Sequence, residues 1–358
     1  MALNFFSRLF SSKSILGIDI GTSSIKIVEL SKKKSKKLEN YGQVSSKYYA
    51  EEEFRRHTPE GPVLDLKNIT NAIGAILEEA KMKAKEVYFS VPDYFTFFTT
   101  LELPFMEREE LAEAIKYEAP RHIPLPISEV TLDWQIVRQG PKEGKRGNSM
   151  KIMLAAVPNR VIDQYQEIAN SLNLKIRALE AEVFALARAA IHSKDRESTV
   201  CVIDIGQRST TINIVSQETL KASFSIDIGG GKITNILQEK LNISTEKAEV
   251  IKRMMGIEKE ETIKEIIFPL LQGLTKEIQN IFSQYTSEES EEIRKIILSG
   301  GNALMPGLSK YFSETFSLPT EISDPFFKIS FPPKLSKVLK KIGPEFTIAV
   351  GIALRGTE

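Results

Sequence analysis

Two segments of this 358-residue chain place the same residues, in the same order, where they could bind phosphate. Residues 18–27 and 203–212 both follow the pattern Ile-Asp-Ile-Gly-x-x-Ser-x-x-Ile. An apolar strand runs into a sharp turn of glycine and hydroxyl residues, and a second strand leaves the turn. Glycine lets backbone N–H groups approach a phosphate, and Ser and Thr hydroxyls add further donors. The repeat therefore predicts two phosphate-binding hairpins.

The aspartate before each glycine, Asp19 and Asp204, would repel a phosphate in direct contact. We therefore expect both carboxylates to bind Mg²⁺ through water. A repeat spaced by about half of the chain favours two similar domains that face each other and clamp a triphosphate between them. The alternative is a duplicated fold that has lost its ligand, because a fold alone does not establish a function.

The composition is that of an ordinary globular protein with enough length for roughly two domains. A formal net charge of +1 gives no indication of a nucleic-acid partner. Cys201 is the single cysteine, which excludes a disulfide within the chain and fits a reducing compartment. The three histidines, His57, His122 and His192, lie far apart in the sequence, so we expect no zinc site.

The sequence gives little indication of direct membrane contact. No apolar stretch reaches the ~20 residues of a membrane span. Residues 1–10 have apolar side chains at helical spacing, and we expect a short helix or arm that packs on the first sheet. A weak contact with a membrane surface is the alternative interpretation. The lysine-rich run Ser31–Lys37 is interpreted as a solvated hairpin tip in preference to a basic patch.

Hydrophobic periodicity predicts the elements that must position the two hairpins. Residues 94–175 are predicted to form a compact α+β unit inserted into the first domain. Strands are predicted at 14–20, 25–30, 87–91, 95–103, 132–137, 150–157, 199–215 (as strand, turn and strand), 224–228 and 293–298. Helices are predicted at 65–81, 107–119, 161–171, 176–191, from Gly231 to 241, and at 345–355.

The hairpins resemble the phosphate motifs of the actin, Hsp70 and sugar-kinase superfamily. The inserted unit narrows the resemblance to the cell-division protein FtsA and to the PilM family of type IV pilus assembly proteins. The stretches that carry it are Gly17–Leu30, Leu103–Glu118, Ile123–Pro126, Ala155–Pro158 and Glu182–Arg188. The resemblance implies an α/β fold of the actin-like kind, with duplicated ribonuclease H-like domains and an inserted small α+β subdomain. The implied boundaries are subdomain 1A (1–93 with 176–199), 1C (94–175), 2A (200–230 with 291–358) and 2B (231–290).

The resemblance also implies ATP and Mg²⁺ as cofactors. Residues implied to contact the phosphates are Gly21, Thr22, Ser23, Ser24, Lys26, Gly206, Ser209 and Thr210, with Asp19 and Asp204 on hydrated Mg²⁺. Residues implied on the adenosine side are Gly229, Gly230, Gly231, Glu249, Lys252, Gly300, Gly301 and Asn302. Two alternatives stay open: Lys26 as an exposed strand lysine, and Glu249 with Lys252 as a surface ion pair.

Catalysis is the weakest part of the resemblance. Hydrolysis needs a group that positions the attacking water. The superfamily places it near the start of the helix after the inserted subdomain, where Glu180 or Glu182 could serve with assistance from Asp204. The resemblance therefore implies at most a slow ATPase.

The resemblance implies a cytoplasmic scaffold at the inner membrane, which it reaches through a partner. That partner is PilN, whose N-terminal peptide docks between the first domain and the inserted subdomain, and the apolar strand Tyr94–Phe98 is the predicted contact. The alternative is that this strand forms the core of the insert. Coupling to the pilus motor ATPase and the platform protein is also implied, and a homo-oligomer stays open.

Three other interpretations belong to the same superfamily. An FtsA-like protein should continue into a linker and a membrane helix, whereas we expect this chain to end at Arg355–Glu358. A kinase needs a substrate pocket with a catalytic aspartate, for which the sequence offers no candidate. An Hsp70-like chaperone needs a substrate domain after the nucleotide domain.

Overall fold

The computed structural model describes residues 14–32, 36–48, 54–58, 61–139 and 149–357, so the predicted N-terminal arm lies outside the described residues. The strands are β1 (Ser14–Ile20), β2 (Ser24–Ser31), β3 (Leu38–Ser45), β4 (Arg55–Thr58), β5 (Gly61–Leu64), β6 (Glu86–Val91), β7 (Phe97–Pro104), β8 (Val130–Gln139), β9 (Ser149–Pro158), β10 (Lys175–Ala181), β11 (Val200–Ile205), β12 (Thr210–Ser216), β13 (Thr219–Ile226), β14 (Lys295–Ser299) and β15 (Thr320–Ile322). The α-helices are α1 (Leu66–Glu79), α2 (Arg108–Glu118), α3 (Asn159–Ser171), α4 (Glu182–Ala190), α5 (Gly230–Leu241), α6 (Thr245–Met255), α7 (Glu261–Glu289), α8 (Leu308–Phe316) and α9 (Ser336–Arg355). Among the described residues, no helix is long and apolar enough to cross a membrane.

Two five-stranded sheets share one topology, which confirms the predicted duplication. The first sheet has the order β10-β6-β1-β2-β3, and the second has the order β13-β12-β11-β14-β15. In each sheet the strand that carries the Asp-Ile-Gly motif pairs antiparallel with the next strand and parallel with its other neighbour. The remaining parallel pairs, β6 with β10 and β14 with β15, are equivalent in the same way.

The inserted subdomain is shorter than predicted. Its core is a three-stranded sheet with the order β7-β9-β8, covered by α2. The next helix, α3, instead buries Val161, Tyr165 and Ile168 against Ile69 and Ile73 of α1, in the core of the first sheet. A crossover between parallel strands requires such a helix, and α3 connects β6 to β10 as α8 connects β14 to β15. The insert therefore spans 97–158, and the predicted range 94–175 is too long.

The predicted helix 176–191 is two elements. Residues Lys175–Ala181 form β10, which pairs parallel with β6, and only the residues from Glu182 onward are helical. The Asp93 carboxylate accepts a hydrogen bond from the Val183 N–H at 3.2 Å, which marks the helix start. Apolar spacing alone does not separate a short edge strand from the helix that follows it.

The last helix lies in the first domain, although residues 291–358 were predicted to belong to the second. It is longer than predicted, and it buries Phe346, Val350 and Ala353 against Ile15 and Val28 of the first sheet. By contrast, α4 follows the first sheet in sequence but packs on the second, in a cluster with Val200, Val202 and Val215. The terminal helix of each domain is therefore exchanged onto the other domain.

The two exchanged helices cross in backbone contact at Gly351. A Cβ atom at this position would lie 1.9 Å from the Ala185 carbonyl oxygen of α4. A side chain there would push α9 off α4 and so disturb both sheets. Gly273 of α7 is a matched contrast, because a Cβ there would meet nothing within 4 Å.

We predict opposite effects of the same substitution at these two helical glycines. Gly351→Ala should lower the free energy of unfolding by about 2–3 kcal/mol through overpacking. Gly273→Ala should raise it by roughly 0.5–1 kcal/mol, because alanine restricts the unfolded chain. Urea unfolding followed by circular dichroism measures both. Equal stability of Gly351→Ala and the wild type would show that the helix crossing is loose.

Candidate nucleotide-binding cleft

The predicted phosphate hairpins face each other across a cleft of about 220 Å³ between the two domains. The turns after β1 and β11 form two walls, and the glycine turn after β14 forms a third. The predicted residues that line the cleft are Asp19, Gly21, Thr22, Ser23, Ser24, Lys26, Asp204, Gly206, Ser209, Gly300, Gly301 and Asn302. The structure therefore brings together three segments that are far apart in the sequence.

The two hairpin turns close in the same way. The Gly21 N–H donates to the Ser24 carbonyl at 2.9 Å, and the Gly206 N–H donates to the Ser209 carbonyl at 3.0 Å. A Cβ at Gly21 would lie 2.7 Å from the Ser24 carbonyl oxygen, so the first turn requires glycine. The first turn presents Thr22 and Ser23 to the cleft, whereas the second turn presents the longer side chains of Gln207 and Arg208.

Asp19 and Lys26 form the floor of the cleft. They are cross-strand partners in the β1–β2 hairpin, and the Lys26 ammonium lies 3.7 Å from an Asp19 carboxylate oxygen. The other Asp19 oxygen accepts a hydrogen bond from the Ser90 hydroxyl at 3.0 Å. The Lys26 side chain is only 12% exposed, so it is not an ordinary exposed strand lysine. Its charge faces the space where the two hairpin turns meet.

Asp204 is the most perturbed acid of the cleft. Burial, together with the charges of Glu182 and Asp19, raises its pKa to about 7, although the Ser299 hydroxyl and Lys26 act in the opposite direction. Asp19, Glu182 and Asp204 therefore interact electrostatically in one cleft, with Lys26 beside them. Such a concentration of negative charge favours binding of a cation or a proton.

The two candidate catalytic carboxylates are separated by the structure. Glu180 is buried outside the cleft, where it accepts two hydrogen bonds from Arg188, at 2.7 and 2.9 Å, and a further one from Arg355. Glu182 is the first residue of α4 and lines the cleft with Asp204. Glu180 points toward α9 because it lies on β10, before the chain turns into the helix. Of the two, only Glu182 is placed to act on a bound nucleotide.

The triple glycine at 229–231 supports the second hairpin instead of lining the cleft. The Gly230 N–H donates to the Gly206 carbonyl at 2.9 Å, and the Gly231 N–H donates to the Gln207 carbonyl at 2.7 Å. A Cβ at Gly229 would lie 2.6 Å from the Gln207 carbonyl oxygen. The amino-terminal N–H groups of α5 are therefore used to hold the turn in place.

Three other residues that were predicted to contact the nucleotide, Thr210, Glu249 and Lys252, also lie behind the cleft wall. The Thr210 hydroxyl donates to the Ile228 carbonyl at 2.6 Å. The Lys252 ammonium donates to the Gly230 carbonyl at 3.1 Å and contacts Glu249 at 2.7 Å. Lys252 is only 1% exposed, so the pair is not a surface ion pair. These residues fix the start of α5, and through it the second turn.

A polar chain at the far end of the cleft was missed by the sequence analysis. Gln43 of β3 donates to Glu345 of α9 at 3.1 Å, and the Arg253 guanidinium of α6 lies 3.5 Å from Glu345. Arg253 also donates to Glu249 at 2.8 Å, and the i, i+4 spacing of these two residues was a usable signal. Further lining residues that carried no recognised signal are Ser45, Asp93, Tyr94, Thr211, Ser225, Pro344 and Ile348.

A second cavity of about 460 Å³, the side groove, lies where three parts of the chain meet. Its walls come from β8 and β9 of the insert, from α4, and from the β12–β13 turn of the second domain. The apolar side chains that line it are Trp134, Met153, Ala155, Phe184, Ala187, Ile191, Val215 and Leu220.

The apolar segment Tyr94–Phe98 does not line the side groove. Tyr94 and Phe95 lie in a 3₁₀ turn, and Phe95 is buried in the core of the first domain. Phe98 packs against Phe184 with ring centroids 6.4 Å apart, and Phe97 is partly exposed. The apolar character of this segment is explained by its packing, with Phe95 in the core of the first domain and Phe98 in the cluster that α4 forms with the second sheet.

Duplicated sheets of this topology, with paired Asp-Ile-Gly hairpins across a cleft, define an actin-like protein of the nucleotide-binding superfamily. The chain matches the family model of the type IV pilus assembly protein PilM over residues 17–357, and it belongs to that family. It is similar to a solved PilM–PilN type IV pilus biogenesis complex, with a TM-score of 0.81 and 26% identity, covering 96% of this chain and 98% of that one.

More distant similarities agree on the fold. MreB5 of Spiroplasma citri bound to AMPPNP has a TM-score of 0.53 and 13% identity, covering 96% of each chain. The cell-division protein FtsA of Streptococcus pneumoniae is 19% identical over 350 residues, covering 86% of this chain and 75% of that protein. At these identities the likeness describes architecture.

We predict that Asp204→Asn stabilises the nucleotide-free protein at neutral pH. Because the folded-state pKa is raised to about 7, the folded protein retains a proton that the unfolded chain loses near pH ~4. The free energy of unfolding of the wild type therefore falls as the pH rises from about 4 to about 7. The Tm advantage of Asp204→Asn should grow from about pH 5 to about pH 8 and then level off.

Differential scanning calorimetry with chelator present measures this difference. Asp163→Asn, at an exposed position on α3, is the matched control and should show no such growth. A constant Tm difference at all pH values would show that Asp204 is ionised in the folded protein.

Proposed function

We propose that this protein is a nucleotide-dependent scaffold of the type IV pilus inner-membrane assembly complex. It binds ATP with Mg²⁺ in the cleft and the N-terminal peptide of PilN in the side groove, at the cytoplasmic face of the inner membrane. The observation that carries the proposal is the side groove, because its walls include the inserted subdomain in a chain that belongs to the PilM family.

The cleft supports an extended nucleotide. The paired turns offer backbone and hydroxyl donors to the phosphates, and Lys26 supplies the positive charge between them. Gly301 lines the cleft without a side chain and leaves flat space for the adenine at the other end. Gly300 is required for a different reason, because its φ is +87° and a Cβ there would lie 2.6 Å from the Ile205 carbonyl oxygen. MreB5, which has a similar fold, was solved bound to AMPPNP, and this supports a nucleoside triphosphate as the class of ligand.

The acids of the cleft fit a cation held together with a nucleotide. Among the described residues, no three His, Cys, Asp or Glu side chains converge to hold a metal alone. Asp19 and Asp204 would instead hold Mg²⁺ through water, and phosphate oxygens would complete its shell, as is usual for this ion. The ion would offset phosphate charge and lower the fraction of protonated Asp204. Glu182, which lines the same cleft, would orient an attacking water when a nucleotide is bound, and this arrangement supports slow hydrolysis at most.

The side groove fits a short apolar peptide. Its lining combines apolar side chains with the charged groups Arg188, Arg196 and Lys328 at its edges. The similar structure is a complex of PilM with PilN, which supports PilN as the partner. Docking would bring the protein to the membrane through that partner. The pilus motor ATPase and the platform protein are further proposed partners, and self-association is an additional possibility for the assembled complex.

The first test of the proposal concerns the cleft lysine. Lys26→Ala should weaken ATP binding by about 1.5–3 kcal/mol, because a charge-assisted hydrogen bond to phosphate is lost. Isothermal titration with Mg²⁺ measures the affinity. Lys67→Ala, at an exposed site on α1, is the control and should bind like the wild type. Unchanged affinity of folded Lys26→Ala would remove Lys26 from the phosphate site.

The second test concerns the side groove. Ala155 lies on the central strand β9 and lines the groove, so Ala155→Gln should insert a longer polar side chain and weaken binding of the PilN N-terminal peptide at least about tenfold. Fluorescence anisotropy with a labelled peptide measures this change. Phe97→Gln, at a partly exposed site that does not line the groove, should bind normally. Normal binding by Ala155→Gln together with weakened binding by Phe97→Gln would place the peptide along β7.

A further inference from the structure

We propose that a basic surface at the start of α9 binds the anionic surface of a lipid bilayer directly. Bilayer binding by this surface does not depend on the proposed function. Only the orientation of the surface relative to a membrane-anchored partner rests on that function. The surface, called the lysine face here, consists of Lys36, Lys37, Lys334, Lys337, Lys340 and Lys341.

Two distant segments build the lysine face. The Ser330 N–H donates to the Lys36 carbonyl at 2.8 Å, and the Leu38 N–H donates to the Ser330 carbonyl at 2.9 Å. Leu38 also shares a hydrophobic cluster with Leu335 and Leu339. The described end of the lysine-rich turn after β2 is therefore fastened beside the segment that leads into α9. Lys36 and Lys37 therefore belong to a larger basic surface, whereas the tip of the predicted hairpin at 33–35 lies outside the described residues.

The charge of this surface is one-sided, although Glu39 pairs with Lys37 at 3.2 Å. The chain as a whole is nearly balanced, with 48 Lys and Arg against 47 Asp and Glu. Residues 325–344 nevertheless contain five lysines and no carboxylate. Lys337, Lys340 and Lys341 are exposed on the side of α9 opposite the buried Leu339 and Phe346. A polyanionic surface would be attracted to this face over distances of about 10 Å at ordinary ionic strength.

The position of these lysines opposes the intrinsic electrostatics of the helix. Cations are disfavoured at a helix N-terminus, where the backbone N–H groups carry partial positive charge. Nevertheless α9 begins with no acidic residue in its first turn and no side-chain cap, and Lys337 occupies that turn. Lys334 lies immediately before it, in the 3₁₀ turn Pro333–Leu335. An anionic partner in front of the helix would compensate both the lysines and the uncapped N–H groups.

Apolar residues on the same surface favour a bilayer over a nucleic acid. Val338 is 45% exposed between the lysines, and Phe331 and Leu335 are partly buried at the edge of the same cluster. Lysines mixed with apolar side chains are typical of segments that lie in the lipid headgroup region. Lys328, two residues before the Ser330 that bonds to Lys36, lines the side groove and connects it to the edge of this face. A peptide that extends from a membrane protein would approach the groove from this side.

The experiment is vesicle co-sedimentation of the full chain. We expect binding to phosphatidylcholine vesicles that contain about 30% phosphatidylglycerol, little binding to pure phosphatidylcholine, and release by high salt. Lys337→Gln, Lys340→Gln and Lys341→Gln together should reduce the partition coefficient about fivefold per lysine removed. The control carries the same charge change at exposed sites elsewhere, in Lys116→Gln, Lys276→Gln and Lys310→Gln, and should bind like the wild type.

Several outcomes would overturn the proposal. These are equal vesicle binding by the two triple variants, equal binding to neutral vesicles, or tighter binding of short duplex DNA than of anionic vesicles. The α9 variant should fold normally and have an equal or higher Tm, because its lysines oppose the helix dipole. PilN peptide binding is measured on the same samples. If the wild type binds the PilN peptide but not the anionic vesicles, this inference is refuted and the proposed function stands. If the wild type binds the vesicles but not the peptide, the proposed function is refuted and this inference stands.

Discussion

The crossing of α4 and α9 is the contact on which the architecture depends. Each helix follows the last strand of one domain and packs on the sheet of the other. They meet where Gly351 lies against Ala185, with no room for a Cβ. A hinge made of loops would leave the two hairpin turns free to separate. With exchanged helices, each sheet packs on the helix that follows the other sheet in sequence. The two sheets therefore cannot separate without exposing a core, and the two hairpin turns stay opposite each other.

The same crossing determines both cavities. The first residue of α4, Glu182, lies in the interdomain cleft, whereas Phe184 and Ala187 lie in the side groove. One helix of nine residues therefore contributes to both sites. Since Asp93 accepts from the N–H of Val183, the chain entering the insert also fixes the start of this helix. Geometry at one cavity is thus mechanically linked to geometry at the other by a short rigid element.

Local patterns in the sequence predicted the parts of the site that are local in space. The two Asp-Ile-Gly turns and the glycine turn at Ser299–Asn302 each lie within a few residues, and the structure places all three in the cleft. The chain of Gln43, Glu345 and Arg253 could not be found this way, because three separate elements supply it. The triple glycine at 229–231 was recognised as special, but its role is close packing against the second turn. Sequence shows that a glycine is needed without showing which neighbour requires it.

The duplication explains the errors in the predicted domain boundaries. Once α3 is matched to α8, it must be the crossover helix of the first sheet, and the insert must end before it. Once α4 is matched to α9, the exchange of one implies the exchange of the other. A comparison of the two halves by element, and not only by the repeated turn, would therefore have assigned α3 correctly, whereas the exchange of α4 and α9 is visible only in their packing. Burial could not be read from either helix alone, because each has an apolar face that fits any sheet of this kind.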